Sequence, residues 1–467
     1  MAPLEMQQVV AFRFECSRFN ADMTRPFTAS RHIRAGRAAL LMSGAVLGAS
    51  CSWVSPARAI QPLPAFLGAA DEANSDLLIA RSTSVQRDAE SDRSTGALLP
   101  SLTAQGTYTR NQYEVSFPES AVEPGATGSI TILPKNQLDG SVTLSVPIVD
   151  VAAWERRSAA RATLDSAKAD IENTRADVAR RVTRAYFQLV ANEALLVASA
   201  KALEVSRANL TTVQDRKNGG TATELDVQRA MADVSRAEQD ASAAGFSVIT
   251  SRRSLETLSG LSPEPASTFP VDDLHEEAPL ERWLTGSADL PAVKSAESAQ
   301  RSAEASVGAA KSAWLPTVAA SAQERFTNAP SLSLHKSYYT LQATATWRID
   351  ATIPAATRAQ RAAATTAALR VRAKRRDTED AIFQDFHQVH ASLEKARSAR
   401  AQVEAADAAA GLARDRFGGG LATQLDVLQA EQDLFRAQVA RIQADADLAY
   451  ARAALRLDAL GPRGMNP

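Results

Sequence analysis

Two histidines three residues apart, His387 and His390 in HQVH, have a spacing that can bring two imidazoles together on one helix. A metal centre needs further donors. Neither a cysteine nor a third histidine stands near them, so a solvated or packed helix face accounts for the pair. Gly219 and Gly220, and again Gly418, Gly419 and Gly420, have the composition of a phosphate cradle. Such a loop follows a strand and leads into Lys-Ser/Thr, and neither stretch does. No Ser/His/Asp set and no paired carboxylates are arranged for nucleophilic or acid–base work. The run RAKRRDTED at 372–380 reads as a solvated face. These residues therefore predict no enzyme, no metal site and no cofactor.

The glycines belong to a phrase written twice. DRKNGGTATELDVQRAMADVSRA runs over 215–237 and DRFGGGLATQLDVLQAEQDLFRA over 415–437, so the copies stand 415 − 215 = 200 residues apart. A repeat that long signals a duplicated structural unit. Within each copy the glycines end one helix in a left-handed turn. Arg216 and Arg416 sit at the preceding helix C-termini, where a cation complements the dipole. Thr223 and Thr423 open [ST]-x-x-[DE] caps closed by Asp226 and Asp426.

The elements that position these tips can be read outward from them. Long helical runs over 152–216 and 352–416 precede the glycines, each spanning roughly 100 Å, and shorter helices over 222–258 and 422–459 run back. Val182, Leu189, Leu196, Leu203 and Leu210 stand seven apart, as do Ile382, Val389, Ala396, Val403 and Ala410. Val227, Val234, Ala241, Val248 and Leu255 repeat the period on the first return helix. A sustained heptad marks a coiled-coil seam, and alanines along it imply close helix approach. Helix-like segments at about 64–97 and 280–313 end at matching breakers, ALLPSL and AWLPTV.

Strand-like stretches follow each proline. In SVTLSVPI (141–148) Val142, Leu144, Val146 and Ile148 alternate with Ser141, Thr143 and Ser145. In YTLQATATW (339–347) Tyr339, Leu341, Ala343, Ala345 and Trp347 alternate with Thr340, Gln342, Thr344 and Thr346. Period-2 alternation suits half-buried strands, two per half, with the Gly/Pro/Asn/Ser-rich loops between them as hairpin tips. Tyr108, Tyr113, Tyr338, Tyr339 and Trp347 fit either interfacial aromatic girdles or ordinary strand packing.

The 467 residues thus divide into a signal and N-terminal extension (1–59), a first repeat (60–260), an irregular Pro-, Ser- and acid-rich linker (261–279), a second repeat (280–460) and a short tail (461–467). Arg31, Arg34 and Arg37, the apolar stretch 38–50 and ARA (57–59) read as a secretory signal cleaved after Ala59. A lipobox at LGASC with Cys51 lipidated is the alternative, which Gly48 and Ser50 match poorly. Cleavage would remove both Cys16 and Cys51 and leave an exported chain without disulfides. Lys plus Arg (52) balances Asp plus Glu (53), which argues against a nucleic-acid partner. Beyond residue 59 no stretch approaches ~18 consecutive apolar residues, whereas a β-barrel span remains allowed. Four strands with open edges cannot close a barrel in lipid. Several chains must share one, and three would supply 3 × 4 = 12 strands and 3 × 2 = 6 helical hairpins.

The paired LLP/WLP breakers, the strand pairs and the twinned G-x5-DV signatures, Gly220 to Val227 and Gly420 to Val427, resemble the TolC-like outer-membrane efflux protein family over about 62–460. The resemblance implies a mostly α fold with a small β part. Its members form homotrimers with a 12-stranded transmembrane barrel in outer-membrane lipid, continuing into a periplasmic α-helical tunnel. It further implies an exit duct for a tripartite efflux pump or type I secretion system, with a periplasmic adaptor and an inner-membrane RND or ABC transporter as partners. By the same resemblance, Asp226 and Asp426 would ring the pore where it narrows, and the tips carrying Gly219, Gly220, Gly419, Gly420, Arg216 and Arg416 would meet the adaptor. The family's best-known members carry an aromatic hydroxyl and a basic residue near the second turn, where this chain has Phe417 and Ala422. The rival reading is an exported coiled-coil scaffold of the periplasm.

Overall fold

A computed structural model describes residues 60–118, 127–265, 272–329 and 335–461. The expected signal segment, Cys16, Cys51, the ARA site and residues 462–467 of the tail lie outside the described residues.

Each repeat is built around one long helix and its return. α3 (Val151–Asn218) and α4 (Glu224–Ser259) form the first pair, α7 (Thr352–Gly418) and α8 (Gln424–Leu460) the second. α3 runs for 68 residues because no glycine or proline interrupts it. Most of the heptad seam is buried, with Val182, Leu189, Ile382, Val389, Ala396, Ala410, Val227, Val248 and Leu255 inside, while Leu196, Leu203, Leu210, Val403, Val234 and Ala241 are half-buried. Between the repeats, Ala191 of α3 packs against Ile442 and Ala446 of α8, where small side chains allow close approach.

The leading helices differ from the unbroken segments expected. The first is split into α1 (Leu63–Ala73) and α2 (Ser75–Gly96) at Asn74, whose side chain accepts from the Asp76 amide at 3.0 Å and donates to the Leu258 carbonyl at 2.9 Å. The second is split into α5 (Leu280–Leu284), a 3-10 turn at Ser287–Asp289 and α6 (Pro291–Ser312). Gly286, at φ +95°, and Pro291 make that break. The splits give each helical pair a short apolar wedge. Phe66 and Ala70 of α1 enter the first pair beside Val178, Val182 and Leu255. Trp283 and Leu284 of α5, with Leu274, cover Ile382, Val389 and Leu455 in the second.

The linker is irregular over 272–279, as expected, but firmly held. Arg452, buried on α8, pairs with Asp272 at 3.1 Å and Glu277 at 2.8 Å and donates to the His275 carbonyl at 2.6 Å.

The strands are β1 (Ser101–Arg110), β2 (Val115–Pro118), β3 (Ser129–Leu133), β4 (Asn136–Val149), β5 (Thr317–Thr327) and β6 (Ser337–Thr346). Four of them form an antiparallel sheet in the order β1-β4-β5-β6, so the two repeats join through β4 and β5. β2 and β3 form a separate ribbon where the sequence suggested only a loop. The outer edges of β1 and β6 are unpaired among the described residues.

The expected half-buried apolar face does not stand out in this sheet, because β1 and β6 are exposed on both faces and β5 is half-buried on both over most of its length. Leu102, Leu144, Ala322 and Leu341 share one face, and Thr103, Thr143, Gln323 and Thr340 the other. Leu102 is 70% exposed and Leu341 74%, with Thr103 and Thr340 beside them exposed too, and only on β4 is the apolar Leu144, 41% exposed, more open than the half-buried Ser141, Thr143 and Ser145. Among the described residues no helix packs closely over either face. Glu324 interrupts the Leu-rich face, its carboxylate accepting from Ser337 Oγ at 2.5 Å. No helix of the described residues is long and apolar enough to cross a membrane.

Candidate functional site

The twinned tips fold alike because their local sequence dictates the same turn. α3 ends where the Gly219 amide donates to the Asp215 carbonyl at 3.0 Å, and α7 where Gly419 donates to Asp415 at 3.1 Å. The left-handed residue in each is the second glycine, Gly220 or Gly420, both at φ +75°. Gly219 and Gly419 have φ near −80° and ordinary helical-side geometry, and Gly418 is the last residue of α7.

Both return helices start in a full capping box. The Asp226 amide donates to Thr223 Oγ1 at 3.3 Å, while Asp226 Oδ2 accepts from the Thr223 amide at 3.0 Å and its hydroxyl at 2.7 Å. Thr423 and Asp426 repeat this at 3.3, 2.8 and 2.7 Å. Hydrogen bonds from the Thr223 hydroxyl and amide hold the Asp226 carboxyl below its ordinary value. The Thr423 amide and hydroxyl do the same for Asp426. Both aspartates are thus ionised at neutral pH, with Oδ1 outside the cap.

The tips are not equivalent. Arg216 lies over the Phe417 ring, Cζ 3.9 Å from the centroid, and donates from Nη2 to the Phe417 carbonyl at 3.0 Å. This clasp joins the two tips of one chain through Phe417, a ring without a hydroxyl. Its twin Arg416 is exposed, and Phe417's twin is Lys217, which pairs with Glu224 of its own tip. Glu224's twin, Gln424, is buried with neither amide atom bonded. No single-helix pattern reports the Arg216–Phe417 contact, because its partners stand 201 residues apart.

A second cluster went unsuspected. Arg180 of α3 pairs with Asp385 of α7 at 2.9 Å and with Asp458 of α8. Burial pushes Asp458 up to about 7, with Asp385 and Asp177 adding to the rise and Arg180 opposing it. The two pairings of Arg180 tie the first repeat to the second.

His387 and His390 do not meet a third donor. His387 packs on Phe383 and Phe386, His390 on Phe386 at 4.8 Å between centroids, as a packed surface cluster. Asp272, Asp273 and His275 come within 4.8 Å of one another, but the Arg452 guanidinium already occupies their midst.

The sequence model of the outer membrane efflux protein family matches residues 67–261 and 288–461. The structure resembles the outer-membrane channel OprN, with 19% identity, TM-score 0.69, and 85% of this chain and 89% of that chain covered. It also resembles the Campylobacter jejuni CmeC outer membrane channel, at 16% identity, TM-score 0.70, with 85% of each chain covered. A third is the Neisseria gonorrhoeae MtrE outer membrane channel in its open state, at 19% identity, TM-score 0.70, covering 86% and 89%. No curated protein sequence matches the chain.

Proposed function

The chain belongs to the outer membrane efflux protein family, and from that premise we propose that three copies form the exit duct of a tripartite efflux pump or type I secretion system. The observation that carries this reading is the uncovered four-stranded sheet. Its Leu-rich face, exposed on β1 and β6, and the unpaired outer edges of those strands suit a barrel shared between copies in lipid. Three copies give twelve strands, with the Thr- and Ser-rich face lining water and the Leu-rich face meeting lipid. Exposed aromatics flank that face at both ends, Tyr108 and Phe326 towards the strand loops and Trp314 and Trp347 towards the helices, as girdles at two interfaces would. Tyr338 lies on the polar face, bonded by Arg325, and belongs to neither girdle.

The chain itself performs no chemistry and acts as a passive conduit. Beyond the membrane the six helical hairpins of a trimer would enclose a periplasmic tunnel. The rings of Asp226 and Asp426 would favour cations where it narrows, since each carboxylate is ionised and keeps one oxygen outside its cap. The glycine tips, with Arg216 and Arg416, would dock the periplasmic adaptor and through it an inner-membrane RND or ABC transporter.

Envelope extraction tests the reading. The protein should leave washed envelopes only in detergent and run as a trimer by native mass spectrometry. Release by salt alone would overturn the channel in favour of an exported coiled-coil scaffold.

A further inference from the structure

The four long helices of one chain hold a cavity that the duct does not use. The two helical pairs touch where Ala191 of α3 meets Ile442 and Ala446 of α8, and again at the tips through the Arg216–Phe417 clasp. Between these contacts they part around a hollow of about 610 Å³, lined by all four helices. That is the size of an ordinary small-molecule site. Ala202 and Val205 of α3, Ala237 of α4, and Leu434 and Val439 of α8 give it an apolar wall.

Its charged residues are sorted by depth. Lys201, Arg236 and Arg436 are exposed, whereas Asp233 and Asp240 are half-buried and the Glu431 side chain is 18% exposed. Asp233 is met by neutral donors, Ser206 Oγ at 2.8 Å and Gln432 Nε2 at 3.1 Å. Glu431 is less satisfied. Arg414 Nε stands 2.8 Å from its Oε1, but that nitrogen carries one hydrogen and donates it to the Ala410 carbonyl at 3.2 Å. Oε1 is therefore a buried acceptor that no hydrogen bond reaches, a costly feature for packing alone. Burial pushes the Glu431 carboxyl up against the pull of Arg414, and Asp233 and Asp407 add to the rise. The duplication does not demand this acid, since the corresponding residue of the first repeat is Met231.

We propose that this cavity binds a small amphiphilic amine, its ammonium donating to Glu431 Oε1 and its apolar body lying along Leu434 and Val439. The site belongs to one chain and needs no contact between copies. Asp233 and Asp407 add negative charge, and a bound ammonium supplies the hydrogen bond that Oε1 lacks.

Two dyes with the same fluorophore test the charge preference: dansylcadaverine, a primary ammonium, and dansylglycine, a carboxylate. Each is titrated into the full-length protein in neutral detergent, with the signal of detergent alone subtracted. Dansylcadaverine should brighten at one site per chain and bind at least about tenfold more tightly than dansylglycine, the scale of one charged hydrogen bond. Glu431→Gln should weaken dansylcadaverine by about the same factor and leave dansylglycine unchanged. Val439→Trp, which keeps the carboxylate and fills the hollow, should abolish binding. Circular dichroism first shows that each variant is folded, and if one is not, the other and the pair of dyes carry the test. Equal binding of the two dyes overturns the inference, as does parent-like affinity in either folded variant. None of these readouts depends on trimers or pores, so the duct stands or falls by its own test.

Discussion

Gly220 and Gly420 show how one residue can be required by its backbone alone. A Cβ at either would meet nothing within 4 Å, so only the left-handed φ of +75° resists substitution. Gly220→Ala should therefore lower stability by about 1 kcal/mol, whereas Gly219→Ala, whose Cβ would sit at ordinary contact 3.6 Å from the Arg216 carbonyl, should be nearly neutral. Chemical denaturation of the two variants checks the contrast. Thr423→Ala removes the oxygen that caps the Asp426 amide and should cost about 1 kcal/mol in the same assay. The caps were legible in the sequence because a box of four consecutive residues carries its own partners. The Arg216–Phe417 clasp was not, because its partners meet only after both long helices have been laid side by side.

At the scale of elements, the seven-residue spacing located the seams because buried positions on a supercoiled pair must recur at that period. Ile382, fully buried between α7 and α8, should cost roughly 2–5 kcal/mol when replaced by alanine. The same periodicity is blind to what crosses between repeats. Arg180, Asp385 and Asp458 lie on three different helices, and Asp177 completes the charged surroundings. Asp458 is held protonated by burial up to about 7, against an ordinary value of 3.8. Between those values the folded state keeps a proton that the unfolded state has lost. Stability is therefore fully present below about pH 4 and declines as pH rises through about 7. Glu431, raised mainly by burial despite Arg414, contributes with the same sign. Thermal unfolding should show a higher Tm at pH 5.5 than at pH 8, a difference that Asp458→Asn reduces by removing one titrating group. An undiminished pH dependence in that variant would show that the cluster does not govern it. The breaks at Asn74 and Gly286 also escaped the sequence, since helical periodicity continues across them while the partners that fix them, such as the Leu258 carbonyl, lie far along the chain.

For the whole molecule, the decisive feature is a sheet with a Leu-rich and a Thr-rich face that no helix covers among the described residues. Leu341 and Thr340 are neighbours on opposite faces of β6, an edge strand of the sheet. Leu341→Arg should cost up to about 2–4 kcal/mol where that face meets the bilayer midplane, lowering the amount of trimer recovered from outer membranes. Thr340→Arg, turned to the polar face, should leave the yield close to that of the parent. Equal losses from both would mean that the two faces do not see different solvents. β4 and β5 join the two repeats within a chain, and among the described residues the outer edges of β1 and β6 carry no strand partner.

The amino-acid sequence by itself determined the duplication, the heptad seams, the glycine turns with their caps and the alternation of the strands. Each of these is a local pattern whose period or spacing is set by the geometry of one element. Only the tertiary structure decided that the sheet stays uncovered, which helices break to wedge the seams, and that Arg216 of one tip rests on Phe417 of the other. Alternation states that two faces differ but not whether anything covers them, and that depends on what packs against the sheet. Likewise a cation and an aromatic ring 201 residues apart become partners only once the two repeats stand in register.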